Sequence, residues 1–194
     1  YGIAALTTEA GAEVIGSRRL PDQLSVMRAA AAESLGRADV VIVTGGASVG
    51  ERDFAKAMWD GTGLELVFSK VAIKPGKPVW LGRAGSTLVI GLPGNPTSAL
   101  VTGRLFLVPL LYSLSGRNGA EGLAWRRRPL AQALEPTGKR ETFSRGFSDG
   151  DGVRLFDHQD SSAQKVLAQA TLLVRRPAGN EPVAAGSMVD VLDF

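Results

Sequence analysis

The sequence predicts an α/β fold in which a three-layer domain with a mostly parallel sheet precedes a small β-rich domain. Short β-branched segments such as "VVIVT" at residues 40–44 alternate with helical patterns, which is typical of a sheet covered on both faces. After residue 124 the composition changes to short alternating segments separated by Gly, Asp and Pro. We therefore expect an α/β domain over residues 1–118 and a β domain over residues 119–194, joined near residues 116–124.

Two helices and a short strand are predicted before the first glycine-rich turn. Residues 1–11 have the pattern of a helix that closes at Gly11, and residues 12–20 have the pattern of a short strand and loop. A second helix is predicted over residues 22–37, with Asp22 as its N-cap. The apolar face of that helix has helical spacing and consists of Leu24, Met27, Ala31 and Leu35.

The middle of the chain alternates strands, tight turns and helices. Strand 40–44 ends in "GGASVG", after which a helix is predicted to begin near Asp53 and a strand to lie around residues 64–68. Two further strands flank "KPGKP" at residues 74–78. Residues 86–114 then predict a strand, a Gly/Pro loop and a long apolar helix.

The small domain is predicted from short segments in which apolar and polar residues alternate. These segments are "ETFSRGFS" (141–148), "GVRLFD" (152–157), "ATLLVRRP" (170–177) and "SMVDVLDF" (187–194).

Composition excludes several classes of site. The formal net charge is only +3, and the basic residues are scattered apart from the arginines at 126–128, so no nucleic-acid partner is expected. The absence of cysteine excludes disulfides, thiolate catalysis and cysteine-ligated metals, and a single histidine excludes a histidine-rich metal site. No apolar run reaches the roughly 18 residues of a membrane span, and the first residues lack signal-peptide character. We therefore expect a cytoplasmic protein that does not bind membranes.

Two glycine-rich loops are the strongest functional signal. Each follows a predicted strand and precedes a helix, where open α/β sheets bind ligands and where backbone N–H groups can approach an anion. One loop alone would be interpreted as a turn shaped by Gly45, Gly46 and Gly50. The second, "GLPGNPTSAL" at residues 91–100, adds a stiff corner with hydroxyl groups at the beginning of a helix. Neither loop matches the Walker or dinucleotide fingerprint, so the pair favours a different kind of anionic ligand.

Charged residues accompany these loops. Lysines at a strand end are usually solvated, but the prolines of "KPGKP" hold Lys74 and Lys77 on one turn, where both ammonium groups could face an oxyanion. Lys70 lies nearby in the sequence. Asp53 follows the first glycine loop, and Asp22 begins the earlier helix. Each carboxylate could cap a helix, or could hold Mg²⁺ or orient water beside a phosphate.

These residues carry a resemblance to a known family. The motifs "TGGASVGERDF", "AIKPGKP" and "GLPGNPTSAL", in this order and at these separations, resemble the molybdopterin molybdenumtransferase family, whose eukaryotic relatives include the C-terminal part of gephyrin. In the small domain, "KRETFSRG" and "HQDSSAQKVLAQATLLVRRP" are similar to the family's arginine-bearing strand and its Ser-containing loop and helix. The resemblance covers nearly the whole chain and is strongest over residues 38–117.

The resemblance implies a molybdopterin-binding α/β domain followed by a barrel-like β domain, in a homodimer. It implies a reaction in which adenylylated molybdopterin and molybdate, with a divalent metal such as Mg²⁺, give molybdenum cofactor and AMP. The functional carboxylates would be Asp53 and Asp22, with Asp53 as the metal ligand.

The resemblance also implies two groups of binding residues. Those of the pterin and phosphate site would be Gly45, Gly46, Ser48, Gly50, Lys70, Pro93, Gly94, Asn95, Pro96 and Ser98. Those around molybdate would be Lys74, Lys77, Pro78, Arg140 and Ser161.

The sequence departs from the family pattern at two points. Family members normally begin with two further domains and have a Thr-Gly-Asp-Glu strand ahead of the helix at residues 1–11, so we expect a fragment that lacks the first strand of the α/β domain. Asp160 stands where an uncharged residue is more usual, and its carboxylate would repel molybdate unless it points away. Two alternatives remain: a single-domain adenylyltransferase, which would not need the small domain, and a non-catalytic scaffold of the same fold.

Overall fold

The computed structural model describes residues 1–45, 54–160 and 164–194, and it confirms the α/β class with a β-rich C-terminal part. The helices are α1 (Gly2–Glu9), α2 (Leu24–Ser34), α3 (Phe54–Ala57), α4 (Pro96–Thr102), α5 (Val108–Leu114) and α6 (Gln164–Gln169). A π-helical segment, Gly103–Leu107, joins α4 to α5, and a 3-10 helix spans Gly119–Leu123 in the predicted linker.

The strands form two sheets. In chain order they are β1 (Val40–Thr44), β2 (Glu65–Phe68), β3 (Ile73–Lys74), β4 (Trp80–Ala84), β5 (Thr87–Leu92), β6 (Arg126–Pro129), β7 (Glu141–Ser148), β8 (Val153–Leu155), β9 (Leu172–Arg176) and β10 (Met188–Asp193). The first sheet has the order β1-β5-β4-β2, and the second has the order β3-β7-β9-β10-β6 with β8 paired to β7.

The first sheet is mixed rather than mostly parallel. Strands β1 and β5 are parallel, whereas β4 is antiparallel to both β5 and β2. The connection explains the difference: β4 and β5 are joined by a hairpin through Gly85 and Ser86, and a parallel pair would need a crossover of a dozen or more residues. The predicted parallel character therefore extends only to the β1–β5 pair.

Helices cover both faces of the first sheet, as the three-layer prediction requires. Alternate residues of each strand point to opposite faces. Val40 and Ile42 of β1 pack in a cluster that includes residues of α1 and α5, while Val41 and Val43 pack in a second cluster with α2 and α3. In α2 the predicted apolar face is confirmed, because Met27 and Ala31 are buried and Leu24 and Leu35 pack against their cluster.

Two predictions in the N-terminal region are wrong. Residues 12–20 form no strand, and Val14 and Ile15 are 40% and 58% exposed, so no neighbouring strand buries them. Asp22 is not the N-cap of α2, because the helix begins at Leu24 and the cap position is Gln23. An N-cap side chain must directly precede the first helical residue to reach its free N–H groups.

The helical segment 96–114 is the core helix between the two sheets. Its length and composition alone would suit a membrane span, but 56% of its most apolar window is buried inside the protein. Val108 and Leu111 pack against the first sheet, and Val101 and Leu105 pack with residues of the second. This two-sided burial accounts for the apolar character of the segment.

The second sheet curls into the barrel-like form that the resemblance implies. Beyond β6, Leu130 forms a parallel bridge to Val153 of β8, and the N–H of Ala131 donates to the Val153 carbonyl at 2.9 Å. This contact brings the two ends of the β8-β7-β9-β10-β6 order together. Strand β3 joins the same sheet through β7, although it precedes the predicted domain boundary at residue 118.

Gly76, inside the "KPGKP" corner, provides a test of this packing. Its φ is +105°, and a Cβ placed on it would lie 2.2 Å from Cγ2 of Thr102 in α4. Left-handed strain and overpacking each cost about 1–3 kcal/mol, so we expect Gly76→Ala to lower the free energy of unfolding by about 2–4 kcal/mol, measured by urea denaturation.

Gly150 supplies the matched control. Its φ is +96°, but a Cβ placed on it would have no neighbouring atom within 4 Å. Gly150→Ala therefore isolates backbone strain and should cost only about 1–2 kcal/mol. Equal losses in the two variants would show that the corner does not press on α4.

Candidate functional site

The two glycine-rich loops meet at one edge of the first sheet. Strands β1 and β5 are parallel neighbours with Thr44 opposite Leu92, so both loops begin at the same end of the sheet. The N–H of Gly45 donates to the Leu92 carbonyl at 3.4 Å, and a Cβ on Gly94 would lie 3.0 Å from Cα of Gly45. The close approach of the loops thus depends on glycine at position 94. This is the place where open α/β sheets bind ligands.

The second loop leads into α4 through a capped N-terminus. Oδ1 of Asn95 accepts a hydrogen bond from the backbone N–H of Ser98 at 3.2 Å, and Pro96 occupies the first turn, where its missing N–H is not needed. Pro93 and Ser98 are buried, whereas Gly94 and Pro96 are exposed. The loop therefore presents a short accessible corner above a fixed helix end.

The "KPGKP" corner is also fixed by its backbone. The N–H of Val71 donates to the Lys77 carbonyl at 3.1 Å, and the N–H of Val79 donates to the Gly76 carbonyl at 3.1 Å. The peptide bond between Lys74 and Pro75 is cis. Lys70, Lys74 and Lys77 are all exposed at this corner, with Pro78 half-buried beside them.

The small domain reaches this corner through β7. Ile73 and Lys74 pair in parallel with Glu141 and Thr142, and Nη1 of Arg140 donates to the Ile73 carbonyl at 3.4 Å. Residues far apart in the sequence, Lys74 and Arg140, are therefore held at one junction between the sheets. The positive side chains of this junction can attract an anion.

A second contact ties β7 to the loop that precedes Ser161. Nε2 of Gln159 donates to the Arg145 carbonyl at 2.8 Å, and its Oε1 accepts from the Arg145 N–H at 2.9 Å. Nη2 of Arg145 donates to the Asp160 carbonyl at 3.0 Å. Asp160 is an exposed residue whose carbonyl accepts this hydrogen bond, and the charge of its carboxylate also acts on the guanidinium.

Sequence reasoning missed both Arg145 and Gln159. Arg145 is 1% exposed, and its burial lowers the pKa of the guanidinium, an effect that the nearby charge of Asp160 opposes. The available signal was the alternation of Arg145 with Phe143 and Phe147 in one strand. A side chain at such a position points to one face of the sheet, and the other residues of that face show whether it is buried.

Some predicted site residues lie outside the described part of the chain. They are Gly46, Ser48, Gly50, Asp53 and Ser161. Asp22 is described and is exposed ahead of α2. Within residues 1–45, 54–160 and 164–194, no three His, Asp or Glu side chains are grouped to hold a metal ion.

Comparisons with known proteins agree with the motifs. A family profile described as "Probable molybdopterin binding domain" matches residues 1–113. A molybdopterin molybdenumtransferase of Haemophilus influenzae is 36% identical over 152 residues, which make up 76% of this chain and 36% of that protein. One from Synechococcus elongatus is 35% identical over 185 residues, or 93% of this chain and 45% of that protein.

Solved structures show the same likeness. A molybdopterin biosynthesis MoeA protein from Pyrococcus horikoshii has a TM-score of 0.80 and 28% identity, over 99% of this chain and 46% of that chain. The chain thus spans less than half the length of each of these relatives. Motifs, fold and profile agree: the chain belongs to the family of molybdopterin binding domains, and over most of its length it is similar to molybdopterin molybdenumtransferases.

Proposed function

We propose that this chain forms the pterin-binding and molybdate-binding part of a molybdopterin molybdenumtransferase. The enzyme would use adenylylated molybdopterin and molybdate to give molybdenum cofactor and AMP. The observation that supports this most directly is the junction where the lysine corner meets Arg140 of the small domain. The relatives carry the name of this activity.

The two glycine-rich loops suit the pterin and phosphate end of the substrate. Gly45 and Gly94 lack side chains where the loops touch, so backbone groups are accessible there. Anionic groups are favoured near a helix N-terminus, and Asn95 and Pro96 begin the long helix at this edge. Of the other predicted residues, Pro93 is buried beneath the corner, Ser98 lies in the first turn and Lys70 adds positive potential.

The junction between the sheets suits molybdate. A tetrahedral dianion requires several cationic or hydroxyl donors, since each charge-assisted hydrogen bond contributes only about 1.5–3 kcal/mol. Lys74, Lys77 and Arg140 supply positive charge at this junction, and Pro78 shapes the corner. Ser161, which follows Asp160 in the sequence and lies outside the described residues, would add a hydroxyl.

In this proposal the chain acts mainly by positioning. Both subsites adjoin the helical segment 96–114. Asn95 caps the first turn of α4, and Gly76 packs against Thr102, the last residue of α4. Holding two reactants on one rigid support removes much of the entropic cost of bringing them together. The positive groups also offset the repulsion between a dianion and a phosphate.

In this proposal Asp53 would bind a divalent metal such as Mg²⁺, and Asp22 would be a second functional carboxylate. Mg²⁺ is usually held by one or two carboxylates together with substrate phosphates, and it would neutralise phosphate charge. Asp53 lies outside the described residues, and among those described no three His, Asp or Glu side chains are grouped around an ion.

The small domain favours the transferase over the two alternatives. A single-domain adenylyltransferase would not require β7 beside the lysine corner, whereas this pairing completes the positive junction. A scaffold without chemistry would not require Lys74 and Arg140 to share that junction. A cytoplasmic homodimer is also part of the proposal, on the basis of the family resemblance.

Asn95 separates helix capping from anion binding. Asn95→Asp keeps the cap and should leave the melting temperature unchanged or slightly higher, since a carboxylate is favourable at a helix N-terminus. The added negative charge should weaken binding of adenylylated molybdopterin by about 5- to 30-fold, as about 1–2 kcal/mol of repulsion implies. Calorimetric titration measures this affinity.

Two further variants complete that test. Asn95→Ala should lose about 1 kcal/mol of stability with the cap. Asn118 accepts from the Ala120 N–H at 3.0 Å in the linker, so Asn118→Asp places the same charge at a different helix end. Pterin affinity equal to that of the parent in a folded Asn95→Asp protein would remove this loop from the site.

The proposed molybdate pocket is tested by Lys74→Gln and Arg140→Gln. Each variant should raise the molybdate concentration for half-maximal cofactor formation by about 10- to 100-fold, because each loses one charge-assisted contact. Cofactor formation is assayed in a polypeptide that contains this chain and is as long as the transferases it resembles. Binding of adenylylated molybdopterin should change much less.

The double variant and a distant control sharpen the result. If both residues contact one ion, the double variant should lose less than the two single losses combined. Arg37→Gln removes a surface charge paired with Glu33 and should leave the molybdate response unchanged. Effects confined to pterin binding would contradict the molybdate assignment, and a parental response in Arg140→Gln would exclude the small domain from the pocket.

A further inference from the structure

Arg145 is a buried arginine in β7, the strand that directly follows Arg140 of the proposed molybdate pocket. Its side chain is 1% exposed in β7. Because strand residues two apart share a face, Arg145 lies on the same side of the sheet as Phe143, which packs in a cluster with Ile73 of β3 and Val101 of α4. Arg145 is therefore on the face that looks towards the core helix and the lysine corner.

Hydrogen bonding satisfies only part of this side chain. Nη2 of Arg145 donates to the Asp160 carbonyl at 3.0 Å, whereas Nε and Nη1 are buried without a hydrogen-bond partner in the part of the chain that the structure describes. The carboxylate of Asp160 is on an exposed residue. Its negative charge offsets that of the guanidinium only in part, because the two groups form no ion pair.

Arg176 on the neighbouring strand β9 shows what a structural arginine looks like in this sheet. It is 5% exposed, and all three of its nitrogens donate hydrogen bonds. The acceptors are Oδ1 of Asn180 and the carbonyls of Glu135 and Glu181. Two arginines of the same small domain are therefore buried to a similar degree but differ in hydrogen bonding.

The contrast bears on stability. A buried charge is costly unless it is paired and fully hydrogen-bonded, and replacing it by an apolar side chain of similar size is often neutral or stabilising. Burial lowers the pKa of both guanidinium groups, so the two arginines differ in hydrogen bonding and not in this effect. Packing alone does not account for an arginine at this position, whereas an anion bound nearby would offset its charge.

The neighbours of Arg145 indicate which anion this would be. Its strand begins beside the lysine corner, where Arg140 contacts the Ile73 carbonyl. Its Nη2 holds the carbonyl of Asp160, the residue directly before Ser161, and Gln159 fixes both backbone groups of Arg145. Arg145 therefore connects the strand that directly follows Arg140 with the loop that precedes Ser161.

We propose that Arg145 is a positioning residue for the molybdate pocket, which holds the loop before Ser161 through the Asp160 carbonyl and adds buried positive charge that favours a dianion. This inference rests on the proposed function. Arg145 does not need to touch molybdate, because a charge in a region of low dielectric acts over a longer distance than one in water.

The test compares Arg145→Met with Arg176→Met, which remove arginines of similar burial. We expect Arg145→Met to melt at or above the parental temperature, and Arg176→Met to melt several degrees lower, because it loses all of its hydrogen bonds. Sodium molybdate should raise the melting temperature of the parent, since a ligand that binds only the folded state stabilises it. In Arg145→Met the molybdate concentration needed for the same rise should increase at least about tenfold.

Two further measurements distinguish positioning from general damage. Titration with adenylylated molybdopterin should give the parental affinity in Arg145→Met, and Arg176→Met should keep the parental molybdate response. Arg145→Lys keeps the charge but not the planar fork, so its molybdate response should lie between those of Arg145→Met and the parent. If Arg145→Met does not fold, the molybdate response of Arg145→Lys decides the matter.

The outcomes separate this inference from the proposed function. A parental molybdate response in folded Arg145→Met, or in Arg145→Lys where Arg145→Met does not fold, overturns the role of Arg145 and leaves the proposed function intact. Equal losses of stability, pterin affinity and molybdate response in Arg145→Met and Arg176→Met make Arg145 merely structural. A parent that does not respond to molybdate overturns the proposed molybdate pocket and this inference with it.

Discussion

A two-residue strand, Ile73–Lys74, holds the candidate site together. Its backbone pairs with Glu141 and Thr142 at the beginning of β7, and the chain that follows turns back through Gly76 against Thr102. So short a strand gains little from its own hydrogen bonds and depends on Ile73, which is buried among residues of the second sheet and the long helix. The lysine corner keeps its place because an apolar side chain anchors the residue beside it.

Much of the fold was predictable because it depends on local patterns. The β-branched run of β1 and the apolar face of α2 appear as predicted, and the four alternating segments of the small domain contain β7, β8, β9 and β10. The residues before α2 were harder to predict. Val14 and Ile15 have suitable side chains for a strand but no neighbouring strand, and pairing is not a local property.

In the candidate site too, local motifs predicted some features, and others depend on how distant strands pair. The motifs placed Gly45 and Gly94 at strand ends, and parallel pairing of β1 with β5 brings them together. The motifs did not indicate that Arg140 would lie beside β3, because this requires β3 to pair with β7 in the second sheet. The burial of Arg145 could not be predicted, because most arginines are exposed and burial of this one depends on the strands that pair with β7.

The π-helical segment Gly103–Leu107 changes the direction in which the helical segment 96–114 points its side chains towards the two sheets. A π turn contains an additional residue, so the helix beyond it is rotated by about 100° relative to a continuous α-helix. Before this turn lie Asn95 and Thr102, which support the loop and the lysine corner, and after it lie Val108 and Leu111, which fill the core of the first sheet. At the turn, Arg104 donates to the Asp193 carbonyl of β10 at 3.0 Å. The side chains of the two halves therefore point in directions offset by about 100°, so the end beside the glycine-rich loop and the lysine corner and the end in the core present different faces.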